Sequence, residues 1–377
     1  MGATGKSTRW YTAEPLLWPA CRCQATNAIE KSTKLNDRKI LVGVDEAGYG
    51  PNLGPLTISA SIWSVPLDTE ETDFLGAVAD FLQPKPLSAN SRHIPVGDSK
   101  LLYDRSKGLS TLEFGVLAMA SLITPGVGMK AVPGMTNPPE FPTTLGELSQ
   151  VFGQSLINGE GEIDQTAWYR SAECLAVPST ELPIEQFADA VASVSELLAA
   201  VDIQLIGLRS RVITESALNA GLERSGSKGH ILAAHTLAIV SECIEEYAAS
   251  SGAIECFCDR QGGRKNYLPI LLDAMPELWF SELAQAAHRS SYECQSPRTK
   301  IHFSVGGDRF PPTALASMLA KYLRERYMQA FNAFWLEHCH GIKPTAGYPV
   351  DAKRFAGQIG PAAEKLDLPR EMWWRMK

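Results

Sequence analysis

The chain has 377 residues, 45% hydrophobic and 20% charged, with a net charge of −7; this is the composition of a folded globular protein with room for one large domain or two, not of a disordered one. The acidic balance argues mildly against a nucleic-acid partner, because phosphate binding rests on Lys and Arg, yet residues 259–326 carry ten Lys and Arg against seven Asp and Glu. No apolar run approaches the ~20 residues of a membrane span and the first residues lack a signal-peptide pattern, so a cytoplasmic protein with no membrane association is expected.

Residues 1–37 mix Trp, Pro, Cys and Lys without periodicity and read as an N-terminal tail. The opening MGATGKST is not a phosphate loop, since only two residues separate its first glycine from Gly5-Lys6 where four are required, and Lys6 also breaks the myristoylation pattern. Eight cysteines without CxxC pairs read as reduced thiols.

The first core element is a predicted strand, 39–45, which ends on adjacent acids and then breaks into glycines: ILVGVDEAGYGPNLGPL. In 56–63, Leu56, Ile58, Ala60 and Ile62 alternate with Thr57, Ser59 and Ser61, which predicts a half-buried strand antiparallel to the first. Within 96–122, Asp98 or Ser99 is placed to cap a helix. Residues 124–183 are rich in Pro, Gly and Thr, with short helical patches only, and read as an insertion and a surface excursion. A helix is predicted over 184–201, with Phe187, Val191, Val194 and Leu198 on its apolar face. A strand at 203–208, a helix at 230–247, a strand Ala253–Asp259, a strand near 300–305 and a long helix at 312–339 follow. Residues 340–377 read as a C-terminal extension that packs on the core. Strands and helices in this order predict an α/β domain over 38–377, a mixed sheet flanked by helices with a helical C-terminal part.

Two predicted strands, then, end on carboxylates followed by glycine, and strand ends are where α/β sheets build sites. On the long helix, Ser317, Lys321 and Glu325 stand at i, i+4 and i+8 and share one face, while Leu315, Met318, Leu319 and Tyr322 supply the core. Glu325 is therefore a candidate fourth acid beside Asp45, Glu46 and Asp259. Four carboxylates in one pocket require a counter-charge, and oxygen-only ligands favour Mg²⁺ or Mn²⁺. Two such ions about 4 Å apart activate a water and stabilise the leaving oxygen of a phosphodiester. Taken singly, each feature is also ordinary: an acid pair in a solvated turn, or a Lys321–Glu325 surface ion pair.

Together and in order, these segments resemble ribonuclease HII, the type 2 ribonuclease H family. GVDEAGYGPNLGPL is similar to its first motif, Gly97-Asp98-Ser99-Lys100 to its Asp-Ser-Lys segment, Asp259 to its third acid, 314–326 (ALASMLAKYLRER) to its Ala-Ser-Ile-Leu-Ala-Lys helix, and Gly347-Tyr348-Pro349 to a Gly-Tyr segment near its C-terminus. The resemblance covers 38–118 and 203–356. It implies a ribonuclease H-like fold and hydrolysis of the RNA strand of RNA–DNA hybrids, or cutting at ribonucleotides embedded in duplex DNA, leaving 3′-hydroxyl and 5′-phosphate ends. By the same resemblance Asp45, Glu46, Asp259 and Glu325 hold two metal ions. The backbone of Gly48, Tyr49 and Gly50 approaches the ribose, Tyr348 stacks on the sugar, and Lys100, Ser317 and Lys321 contact the substrate of a monomeric enzyme. Tyr49 and Glu325 depart from the family's arginine and aspartate, CDRQGGRKNY departs from its short Asp-Gly turn after the third acid, and 124–183 has no family counterpart. The departures leave two rivals: a hybrid-binding protein without efficient chemistry, and a metal nuclease for DNA junctions on the same fold.

Overall fold

The computed structural model describes residues 37–86, 88, 92–103, 108–123, 142–157 and 167–376; of the expected N-terminal tail, all but Asp37 lies outside them. The chain runs β1 (Arg38–Ala47), β2 (Leu56–Pro66), α1 (Glu71–Val78), β3 (Leu82–Gln83), β4 (Ile94–Pro95), α2 (Ser99–Leu102), α3 (Ser110–Ala120), α4 (Leu145–Val151), β5 (Gln154–Ile157) and α5 (Ala167–Glu173). It continues through α6 (Ile184–Ala200), β6 (Gln204–Ile213), α7 (Glu215–Ser225), α8 (Lys228–Tyr247), β7 (Ala253–Asp259) and α9 (Leu268–Ala274). The last elements are β8 (Ser281–Gln285), β9 (Arg289–Gln295), β10 (Arg298–Ser304), α10 (Pro311–His338) and α11 (Pro349–Lys365).

Eight strands form one mixed sheet in the order β5-β6-β2-β1-β7-β10-β9-β8. β1, β7 and β10 are parallel neighbours at its centre, with Val44 opposite Cys258 and Ser304 opposite Asp259. β2 is antiparallel to β1, as its position after a Gly- and Pro-rich turn predicts. Alternating side chains go to opposite faces of the sheet: Ile40, Val42 and Val44 join a core with residues of α7, α8 and α9, whereas Leu41 joins the core built around α10. The result is the expected α/β architecture, a mixed sheet between two helical layers.

One expectation is corrected. β2 is not half-buried: Thr57, Ser59 and Ser61 are all sealed from solvent. The reason is α10, whose backbone lies directly on this hydroxyl row. Thr57 Oγ1 donates to the Ala320 carbonyl (2.8 Å) and Ser61 Oγ to the Pro312 carbonyl (2.6 Å), while Ser59 meets the Ser210 hydroxyl of β6 (3.1 Å), so these small polar side chains are satisfied without water. Gly43 on β1 makes this approach possible, because a Cβ there would stand 2.1 Å from the Pro312 carbonyl carbon. Gly43→Ala is expected to destabilise the fold by about 3 kcal/mol, the upper range for overpacking against a backbone that cannot rotate away. Thermal or denaturant unfolding checks this; a loss below about 0.5 kcal/mol would mean that α10 lifts freely from the sheet.

The described residues of 142–183 are not a surface excursion. β5 pairs in parallel with β6 at the sheet edge, and Trp168 and Tyr169 of α5 are buried against Phe331, Trp335 and Tyr327 of α10. Large aromatics need such contacts to leave water. Beyond α10, α11 buries Ala352, Phe355, Ile359 and Ala363 on one side. No helix among the described residues is long and apolar enough to cross a membrane.

Candidate active site

The parallel register of β1, β7 and β10 brings three strand ends to one edge of the sheet. Because Val44 is opposite Cys258, the next residues, Asp45 and Asp259, emerge side by side at the ~4.8 Å spacing of neighbouring strands. Asp45 projects toward α10, where the Ser317 hydroxyl stands near it; Ser317 meets Ser99 of α2 at 3.1 Å. Asp98 caps α2 by accepting the Lys100 N–H at 2.8 Å, as its sequence position predicts, and so places Lys100 over the acids.

Electrostatics mark the group as unusual. Burial holds the Asp45 carboxyl well above the ordinary range, and Glu46 and Asp259 push it further; the Ser317 hydroxyl and the Glu46 N–H (2.7 Å) offset only part. Burial, then Asp259, pushes Glu46 up to about 7 against the pull of Lys100. Asp259 is raised by burial and by Asp308, although it accepts the Gly307 N–H at 2.9 Å and Lys100 stands nearby. Asp308 is raised in the same way by burial and by Asp98, with Lys100 and Arg309 opposing. Clusters of this kind are overrepresented at functional sites.

Asp308 is a member that the sequence reading does not single out. It sits in a short 3₁₀ turn, Gly307–Arg309, just past β10, and a signal for it exists: as after β1 and β7, glycines and an acid lie close together just past the strand. Glu325 does not join the group. It lies eight residues beyond Ser317, about 12 Å of helix rise, and its carboxylate is engaged by Lys321 Nζ (2.6 Å), Tyr103 OH (3.1 Å) and Arg324 Nη1 (3.4 Å). Burial would raise its pKa, but these partners outweigh it and hold Glu325 below the usual value. Lys321 is likewise spent on Glu325 and on the Tyr103 ring, 4.4 Å away.

The segment 48–54 borders the acids. Gly48 has φ +89°, and a side chain there would meet Arg324 and the Pro55 carbonyl, so glycine is required by the turn itself. Gly50 differs: its φ is ordinary and a Cβ would meet nothing within 4 Å. Tyr49 is 40% exposed and its hydroxyl lies toward Gly229 at the start of α8. Tyr348 is half exposed and shares Arg324 with this segment, the guanidinium lying 6.0 Å from its ring. The Gly347 carbonyl accepts the Asn52 N–H at 2.7 Å, which ties Tyr348 to the glycine segment.

Behind this segment lies a buried network that no sequence pattern foreshadows. Glu215 accepts the Gly54 N–H (2.8 Å) and Tyr169 OH (2.6 Å). Arg375, 2% exposed, donates to the carbonyls of Gly48, Pro51 and Gly54. Burial lowers the Arg375 pKa to about 10 although Glu215 opposes it.

Among the described residues no group of three or more His, Cys, Asp or Glu is arranged to hold a metal ion as the side chains stand, and this applies to the set with Asp308 as much as to the expected set with Glu325. The donor chemistry of Asp45, Glu46, Asp259 and Asp308 nevertheless fits a hard divalent cation. All four are oxygen donors whose pKa values are raised by burial first and by acidic neighbours second, and a bound cation would favour their charged forms.

No family model and no curated protein matches the chain. Among solved structures it is similar to ribonuclease HII from Archaeoglobus fulgidus in its complex with PCNA, with a TM-score of 0.35 and 11% identity over 90% of this chain and 94% of that one. It is similar to ribonuclease H2 from Pyrococcus horikoshii OT3, with a TM-score of 0.33 and 12% identity over 89% and 92%. A third similarity is to Bst-RNase HIII in complex with Mn²⁺, with a TM-score of 0.38 and 12% identity over 91% and 68%.

Proposed function

We propose that the chain is a metal-dependent endonuclease of ribonuclease H type, which cuts the RNA strand of RNA–DNA hybrids or cuts at ribonucleotides in duplex DNA. The observation that carries this reading is that Asp45, Glu46 and Asp259 stand at the ends of adjacent parallel strands, with Asp308 next to Asp259 just past the third, beside a glycine segment with an open outer face. The sequence motifs that resemble ribonuclease HII support it independently. In this reading Asp308 replaces Glu325 as the fourth acid.

These four carboxylates would hold Mg²⁺ or Mn²⁺, and a bound ion supplies an acidified water and charge stabilisation at the leaving oxygen. Ser317 favours the charged form of Asp45 from α10, and Lys100, exposed over the acids, holds a substrate phosphate. The backbone at 48–50 approaches the ribose and reads its 2′-hydroxyl, the group that separates RNA from DNA. Tyr348 offers its exposed ring for stacking on the sugar. Glu325 and Lys321 neutralise one another and brace this end of α10.

The test is cleavage, in Mg²⁺ and in Mn²⁺, of an end-labelled hybrid, a DNA duplex with one ribonucleotide, and an all-DNA duplex. Cutting confined to ribose-containing strands, with 3′-hydroxyl and 5′-phosphate ends, is expected. Equal cutting of all three sinks the reading in favour of a DNA nuclease, and binding without cutting in favour of a silent hybrid binder.

Gly50 separates recognition from turn geometry. Since a Cβ at Gly50 meets no protein atom and strains no φ, Gly50→Ala should leave stability within about 0.5 kcal/mol. It should still lower hybrid cleavage roughly tenfold, the worth of one hydrogen bond to the ribose, and more than Tyr49→Ala does. The opposite ranking in kcat/KM would give recognition to the tyrosine ring.

A further inference from the structure

The network behind the glycine segment fixes more than its position. A trans peptide unit is planar, with its C=O and N–H pointing in opposite directions. Arg375 draws the Gly48 carbonyl inward, so the N–H of the same unit, that of Tyr49, points outward. This N–H has no acceptor among the described residues. The Pro51 carbonyl offers an internal comparison: it too turns toward Arg375 (3.3 Å), and the N–H of its unit, that of Asn52, points away and reaches the Gly347 carbonyl at 2.7 Å. Arg375 itself cannot drift, because its N–H donates to the Asn52 carbonyl (2.9 Å) and Asn52 Nδ2 donates back to its own carbonyl (3.4 Å). Asn219 holds the neighbouring backbone, donating to the carbonyls of Glu371 (2.9 Å) and Trp374 (2.8 Å) and accepting the Met376 N–H (2.8 Å).

We infer that Arg375 is a positioning residue for substrate recognition, which turns the Gly48–Tyr49 peptide so that the Tyr49 N–H faces the substrate as the donor to a ribose 2′-hydroxyl. The inference rests on the hybrid-cutting reading and assigns its selectivity to a side chain that touches no substrate. A guanidinium suits this role because its forked donors serve three carbonyls at once, which a lysine ammonium at the end of a flexible stem cannot reproduce in the same geometry.

The experiment uses the full chain with Arg375→Lys and Arg375→Ala, and two readouts. The first is amide exchange of the 48–54 segment. The second is the KM for an RNA–DNA hybrid set against the inhibition constant of an all-DNA duplex of the same sequence, with melting temperatures recorded to confirm folding. Arg375→Lys is expected to speed exchange in the segment and to raise the hybrid KM about tenfold, one hydrogen bond's worth, with kcat and the DNA inhibition constant near their wild-type values. Added guanidinium should restore both exchange protection and KM to Arg375→Ala. Unchanged exchange, or an equal loss for hybrid and DNA, overturns the inference. If the wild-type chain itself does not distinguish hybrid from DNA, the hybrid-cutting reading falls, and the exchange readout alone decides whether Arg375 anchors the segment.

Discussion

Replacing Asp45 or Asp259 by asparagine is expected to reduce cleavage of an RNA–DNA hybrid by at least about 10³-fold, the scale reached when one group that stabilises transition-state charge is removed. Folding should not suffer. Both carboxyls have raised pKa values in the folded chain, so the native state takes up protons that the unfolded chain has already lost. Stability in metal-free buffer therefore falls as pH rises from the ordinary carboxylate range, and for Glu46 the fall extends to about 7. An amide at position 45 removes one of the repelling charges, so the Asp45→Asn melting temperature in metal-free buffer at pH 8 should equal or exceed that of wild type. Mg²⁺ should raise the melting temperature of wild type at pH 8 more than at pH 5, and that of Asp45→Asn less at either pH. Near-wild-type turnover by Asp45→Asn would remove that residue from the mechanism.

The second large effect distinguishes two candidates for the fourth acid. Asp308→Asn should lower cleavage by about 10²-fold or more, because it withdraws charge from the group that surrounds Asp259. Glu325→Gln should keep kcat within a few-fold, since that carboxylate is already neutralised by Lys321 and Arg324. Its loss should appear instead as a modest fall in melting temperature, because a part-buried Lys321 loses its partner. Single-turnover rates of the two variants in Mg²⁺ settle the assignment: a silent Asp308→Asn with an inactive Glu325→Gln would restore the helix acid.

Much of the fold is legible where periodicity is strong. The apolar runs of β1 and β7, the helical spacing in α6 and the span of α10 all follow from local pattern, because burying one face is what that pattern is for. The failures have identifiable causes. Thr57, Ser59 and Ser61 read as a wet face because alternation alone cannot reveal that a helix backbone, admitted by Gly43, will partner Thr57 and Ser61, or that Ser210 of β6 will partner Ser59. Glu325 draws attention because it shares a helix face with Ser317, but sharing a face does not bring a residue to the same strand end. Asp308 stands in plain sight after two glycines, and only the parallel register of β7 and β10 shows that it meets Asp259. Tyr169, Glu215 and Arg375 meet through tertiary structure alone, and no local pattern in the sequence pairs them.

If the chain is the nuclease proposed, the hydroxyl row under α10 bears on accuracy of cutting. Thr57 and Ser61 grip the carbonyls of Ala320 and Pro312, and such bonds cannot be kept if the helix slips along its axis by even one residue, about 1.5 Å. Ser317, which stands near Asp45, and Arg324, which backs Gly48 and Tyr348, are seven residues apart on that helix, about 10 Å. The first third of α10 is thus held in register on the sheet at two carbonyls, Pro312 and Ala320. In a nuclease that reads a sugar at one point and breaks a phosphodiester at the other, the offset between the recognised nucleotide and the scissile bond becomes a constant of the fold, so the cut falls at one phase along the strand whatever the sequence of the bases.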